Sequence, residues 1–210
     1  MKQLRYTLLS DGSSDRGLLP ILRWLLAQHL PAHAILSDWA DLRRVPCPPR
    51  ALADKISMAV KLHPCDVLFV HRDAERASRT DRVIEIRKAQ DESADPRFPA
   101  VCVVPVRMTE AWLLFDEAAI RRAAGNPNGH VKLGLPDFRE VEGLPDPKAI
   151  LHGLLVTASQ LGKRRSKTFP VGIAAARLAD LISDFAPLRQ LSAFSALEQD
   201  LQQLISERGW

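Results

Sequence analysis

The sequence predicts an α/β fold: a mostly parallel sheet with helices on both faces, plus an α-helical C-terminal region. Short, nearly continuous apolar runs at Leu4–Leu9, Val67–Val70 and Ala100–Val106 alternate with stretches of helical periodicity. Runs without polar alternation mark strands buried on both faces, as parallel sheets require. After Gly125 the strand-like runs stop, and only helical patterns follow. With 210 residues, 46% of them hydrophobic and 26% charged, the chain can bury a real core.

Each element has its own justification. Leu4–Leu9 is a first strand, followed by the polar turn Ser10-Asp11-Gly12-Ser13-Ser14-Asp15, in which Ser14 or Asp15 is expected to cap the next helix. That helix carries Leu18, Leu19, Ile21, Leu22, Leu25 and Leu26, with Pro20 confined to its first turn. Ala34–Leu36 is a short second strand. Pro46, Pro48 and Pro49 interrupt, and a helix beginning at Pro49 or Arg50 runs through Leu52, Ile56, Val60 and Leu62. The third strand, Val67–Val70, ends abruptly in His71, Arg72, Asp73 and Glu75. Arg76–Thr80 is a loop, with Thr80 capping a charged helix through Val83, Ile84, Ile86 and Ala89. Asp95–Pro99 is a turn. Ala100–Val106 is the fourth strand, with Pro105 at its end or on an edge.

Arg107–Leu114 reads as a helix with Glu110 in its first turn. A second short helix is capped by Asp116 and ended by Gly125. Residues 1–124 form the expected core, and 125–147, rich in Gly, Pro and Asn, a loop or insertion. Residues 148–210 form a helical region packed on that core. Asp146-Pro147 caps its first helix, to about Ser159, and helices follow at about Val171–Ser183 and Ser192–Glu207.

A net charge of +4, a pI near 9.2 and more arginine than lysine permit a polyanionic partner without requiring one. Cys47, Cys65 and Cys102 lack metal-ligand spacing and are expected as buried thiols. The first residues resemble neither a signal peptide nor a membrane span, so a cytoplasmic protein is expected.

In an open parallel sheet, ligands gather beyond the carboxyl ends of the strands. Asp11 follows the first strand, Asp73 and Glu75 the third, and Glu110 the fourth. Three loops thus deliver carboxylates to one sheet edge, and such oxygens suit a hard divalent cation, Mg²⁺ or Mn²⁺. The competing account pairs Asp73 and Glu75 with Arg72, Arg76 or Arg79 as surface ion pairs. His71 is either a proton shuttle or a packed strand-end residue. Lys163, Arg164, Arg165 and Lys167 form either a clamp for a nucleic-acid backbone or a solvated loop. Trp112, beside Leu113 and Leu114, is expected in the core, and Trp24 and Trp39 in the core or at a subunit contact. The Ser13-Ser14 pair is a turn without the spacing of a P-loop.

Four segments carry a family resemblance: Leu8–Asp15, Asp73-Ala74-Glu75-Arg76, Val104–Leu114 with its Glu-Ala-Trp-Leu, and Leu144-Pro145-Asp146-Pro147-Lys148. Together they resemble the Toprim-related family labelled domain of unknown function 4276. The resemblance implies a Toprim-like, Rossmann-like fold and metal-dependent phosphodiester cleavage of DNA or RNA. It also implies a setting in bacterial phage defence beside a separate ATPase. Asp11 then stands where the family has its first-strand glutamate, and Asp73 and Glu75 stand for its Asp-x-Asp. Asp11, Asp73 and Glu110 become the expected catalytic acids, and Asp11, Asp73, Glu75 and Glu110 the ligands of Mg²⁺ (or Mn²⁺). Arg72, Arg76, Arg107, Lys163, Arg164, Arg165 and Lys167 become the expected contacts to phosphate.

Asp11 is one methylene shorter than the family's acid and Glu75 one longer, changing the reach to a metal that demands regular geometry. A non-catalytic regulator that binds nucleic acid or a partner protein is the alternative. A phosphotransferase using Asp11 as nucleophile ranks below both, because Gly12-Ser13 supplies no second acid two residues on.

Overall fold

Four strands form one sheet in the order β2-β1-β3-β4: β1 (Lys2–Leu9), β2 (His33–Ala40), β3 (Val67–His71) and β4 (Ala100–Val103). Every neighbouring pair is parallel. This is a computed structural model, and it describes residues 2–12, 14–75 and 77–210. The helices are α1 (Leu18–His29), α2 (Leu52–Leu62), α3 (Arg79–Asp91), α4 (Glu117–Ala123), α5 (Pro147–Ser159), α6 (Lys163–Ser166), α7 (Val171–Leu181) and α8 (Ser192–Arg208).

The strand order explains which face each helix covers. The chain moves from β1 outward to β2, then back across β1 to β3 and on to β4. A right-handed crossover sets its helix on a face that depends on the direction of travel. Accordingly α1 packs on one face, with Leu4, Tyr6, Leu8, Val67, Phe69, Val101 and Val103. α2 and α3 pack on the other, with Leu9, Leu68, Val70, Ala100 and Cys102. The reversal of direction lies between β1 and β3, the topological switch point where open α/β sheets bind their ligands.

After β4 the chain adds only helices, and α4, α5, α7 and α8 join the α1 face while α6 buries no residue. Trp112, fully buried, packs edge-to-face on Phe194 of α8 with ring centroids 5.4 Å apart. The core expectation for Trp112 therefore holds, and truncating such a side chain costs about 3–5 kcal/mol. The 125–147 segment is not structureless. It contains a 3₁₀ turn at Phe138–Gly143 and buries Leu133 and Val141. Its Glu142 accepts the Ser192 and Ala193 N–H groups at the start of α8.

Several local expectations need correction. β2 runs eight residues rather than three, because an edge strand tolerates exposed polar residues such as Ser37 and Asp38 that interrupt an apolar run. α2 begins at Leu52, two to three residues after its expected start. Thr80 does not cap α3. Ser78 does, in a capping box with Asp81. β4 stops at Val103, and Thr109–Leu113 is a 3₁₀ turn rather than an α-helix. Asp116, Asp146 and Pro147 begin α4 and α5 as expected. Only Cys102 of the three cysteines is fully buried; Cys65 is half-buried and Cys47 exposed. Among the described residues no helix is long and apolar enough to cross a membrane.

Candidate metal centre

Strand periodicity sorts the polar residues at the switch point onto the two faces. His71 continues the Val67–Phe69 phase and faces the α1 side; Arg72 falls on the α2–α3 side. Beyond the sheet, the chains after β3 and β4 still run together. Arg72, Ala74 and Glu75 N–H groups donate to the carbonyls of Val103, Pro105 and Arg107. Glu75 and Arg107 both have positive φ, 52° and 62°, so two bent residues are fastened to each other just beyond Asp73.

On the α1 side, Asp15, His71 and Asp73 converge. One ligand atom from each lies within 4.8 Å of the others. His71 is 3% exposed and Asp15 7%. His71 Nε2 is 3.8 Å from an Asp15 oxygen and 3.6 Å from Asp73 Oδ1. His71 Nδ1 lies 3.0 Å from the Val103 carbonyl, which can only accept. The ring therefore carries its proton on Nδ1 and turns the Nε2 lone pair toward the acids in its neutral form. Asp15 is held by the Gly12 N–H and the Ser14 hydroxyl. Asp73 Oδ1 accepts from the Thr109 N–H and hydroxyl.

This donor set fits a divalent cation. Bonds near 2.1 Å around a six-coordinate ion put adjacent ligand atoms about 3 Å apart and opposite ones about 4 Å apart. The His71 separations of 3.6 and 3.8 Å exceed the adjacent spacing, so the three side chains would have to draw together around an ion. Two carboxylates and one imidazole could together hold a divalent ion, and these donor types are shared by several metals. Asp73 also records the crowding of negative charge. Burial pushes its pKa up to about 6; His71 opposes this, Asp15 and Glu110 add to it, and the Thr109 N–H opposes it.

On the other side, Asp11 is in a different setting. Burial alone would raise its pKa, but Lys55 of α2 and Arg72 hold it below the usual carboxylate value. Lys55 takes one oxygen and Arg72 the other, while Arg72 also reaches Glu85 of α3. Asp11 and Arg72 line the same cleft of about 260 Å³ as the Asp15–His71–Asp73 group.

The remaining expected residues are placed as follows. Glu75 lines the cleft but its side chain is 66% exposed, with Arg82 3.8 Å away. Glu110 stands behind Asp73, largely buried, and pairs with Lys148 at 3.2 Å. Thus the Glu-Ala-Trp-Leu and Pro-Asp-Pro-Lys segments meet, although Glu110 does not join the three-residue group. Arg107 contributes its bent backbone. Arg76 and Ser13 lie outside the described residues. Lys163, Arg164 and Arg165 form the exposed one-turn helix α6, and Lys167 follows it. They lie beyond the far end of α5, whose 13 residues span about 20 Å from Lys148, so the structure does not bring them to the acids.

Sequence reasoning missed Asp15, Thr109, Lys55 and Arg82. Asp15 reads as a helix cap, yet α1 begins at Leu18, with Gly17 at the cap position and no side-chain cap, and the Asp15 carboxylate turns inward instead. Arg82 donates to the Asp73 carbonyl and pairs with Glu85. Compared with models of known protein families, with curated proteins and with solved structures, the chain matches none.

Proposed function

We propose that the chain is a divalent-metal-dependent phosphodiesterase acting on nucleic acid, with Asp15, His71 and Asp73 as the ion's ligands. The observation that supports this best is the convergence of those three side chains at the topological switch point. When bound, the ion would polarise a phosphate oxygen and make bound water a better nucleophile. The chain's own residues do the positioning. The Val103 carbonyl fixes the tautomer of His71, Thr109 orients Asp73, and the Gly12 N–H with the Ser14 hydroxyl orients Asp15. Arg82 lines the cleft and adds positive charge where a phosphate would gather negative charge. Asp11, neutralised by Lys55 and Arg72, acts as an anchor that keeps two cations at the cleft mouth.

The same engagement of both Asp11 oxygens favours a second reading, a metal-holding, nucleic-acid-binding regulator that does not cut. A separate ATPase partner rests on the family resemblance alone.

Circular single-stranded DNA, plasmid and structured RNA, incubated with Mg²⁺, Mn²⁺ or EDTA, separate these readings. The control is Asp73→Ala purified identically, and Mn²⁺ binding is followed in parallel by electron paramagnetic resonance. Metal-dependent cutting lost in Asp73→Ala is the expected result. Binding of Mn²⁺ without cutting would leave the regulator; neither binding nor cutting would remove both.

A further inference from the structure

A second concavity lies beside the acid cleft. It is a groove of about 990 Å³ between α1, the exposed edge strand β2 and α7. Five arginines line it: Arg16, Arg23, Arg43, Arg44 and Arg177, all exposed, against one acid, Asp180. Arg43 and Arg44 are partly neutralised by Asp41. Among the described residues, Arg16, Arg23 and Arg177 form no ion pair with an acid; Arg177 donates only to the Arg122 carbonyl.

Two half-buried tryptophans, Trp24 and Trp39, sit in the same wall. Arg43 lies over the Trp39 ring at 5.5 Å and Arg189 over Trp24 at 5.1 Å. Both guanidiniums are also ion-paired, Arg43 with Asp41 and Arg189 with Glu198, so each ring with its guanidinium offers chiefly a flat stacking surface, and bases stack on either component. Ser14 borders both this groove and the acid cleft, so a chain laid in the groove leads to the acids.

We propose that the arginine- and tryptophan-lined groove binds single-stranded nucleic acid and guides it to the acid cleft. Unpaired cations follow a phosphate backbone. Aromatic faces set into a groove are reachable only by bases whose own faces are free, which a stacked duplex does not offer. An acidic protein segment would satisfy the arginines but leave the tryptophans without a role. The proposal rests on the nucleic-acid reading of the acid cleft, and it adds the strandedness of the substrate and the residues that select it.

The test is fluorescence anisotropy of the full chain with labelled thymidine and uridine oligonucleotides of about 15 nucleotides, a duplex of equal length, and a polyglutamate peptide, all in EDTA. Single strands should bind more tightly than the duplex or the peptide. With three free phosphate contacts, the logarithm of the affinity should fall against the logarithm of salt with a slope of about −2. The triple variant Arg16→Glu/Arg23→Glu/Arg177→Glu should lose at least about tenfold in affinity and most of that slope. Its folding is checked by circular dichroism. Should it fail to fold, Arg23→Ala alone should reduce the slope by about 0.7. Quenching of tryptophan fluorescence on binding should diminish in Trp39→Phe.

Equal or tighter duplex binding, equal peptide binding, no binding, or a slope unchanged by the arginine variants would overturn the proposal. Because EDTA removes cleavage, the two readings fail separately. Binding without any metal-dependent cutting would keep the groove and remove the phosphodiesterase. Cutting with binding unaltered in the triple variant would do the reverse.

Discussion

On the α2–α3 side of the sheet edge, Asp11 meets Lys55 and Arg72, and its charge is balanced by the protein itself. On the α1 side, Asp73 meets Asp15 and His71, with Glu110 behind, and its negative charge lacks a full counterweight. The two carboxylates border one cleft and follow neighbouring strands, yet alternate strand phase sends them to opposite faces. Proximity to a cleft therefore does not mark a ligand. What sets the candidate ligands apart is a carboxylate kept from water, oriented by hydrogen bonds and left short of positive charge.

The largest expected difference lies in metal affinity. Asp73→Ala should weaken Mn²⁺ binding by more than about 100-fold, since even outer partners of a ligand are worth 10–100-fold. Asp11→Ala should weaken it by less than about tenfold. Titration followed by electron paramagnetic resonance measures both, and equal losses would make Asp11 a ligand after all.

The next difference is in stability without metal, where the two acids act with opposite sign. Burial holds the folded pKa of Asp73, about 6, above its ordinary 3.8. Between these values the unfolded chain ionises first, so stability falls as pH rises from about 4 and is lowest above pH 6. Asp11, held below 3.8 by Lys55 and Arg72, contributes stability that is present above that value and lost as pH falls through the folded pKa. In EDTA, Asp73→Asn should raise the urea midpoint at pH 7.5, with the gain shrinking toward pH 4. Asp11→Asn should lower the midpoint at pH 7.5. Shifts in the same direction would erase the contrast.

The smallest effect belongs to Lys148. Removing it in Lys148→Ala leaves Glu110 unbalanced behind Asp73 and should raise Mn²⁺ affinity by no more than about fivefold, the worth of a partly exposed ion pair. A tenfold fall in the same titration would instead give Lys148 a part in holding the site's shape.

The sheet was legible because parallel strands leave uninterrupted apolar runs. The carboxyl-end rule then led from Val67–Val70 to Asp73. β2 was read short because half of it faces solvent. Asp15 was missed for a different reason. A serine–aspartate pair before an apolar helix is the ordinary signature of a cap, and only the fold shows that α1 begins later and that Asp15 turns toward His71. The strand order was equally hidden, so the sequence could group the acids at one edge without sorting them by face. Arg72 took the bland role weighed for it, an ion-pair partner, but to Asp11 and Glu85 rather than to Asp73. Of the groove residues Trp24 and Trp39 drew attention, but the arginines escaped notice because α1, β2 and α7 bring together positions more than a hundred residues apart.

Glu75 and Arg107, bent the same way and joined by one backbone hydrogen bond, set terms for how this region can vary. Positive φ is open to glycine, tolerable for asparagine and aspartate, and strained for β-branched residues. Among substitutions at Glu75, survivors would thus be sorted by backbone shape, with charge a secondary matter for a side chain so exposed. At Asp73 the sorting runs the other way, by carboxylate alone. Two acids two positions apart would accumulate changes under different rules, and a pattern of acid–any–acid would erode from its second member first.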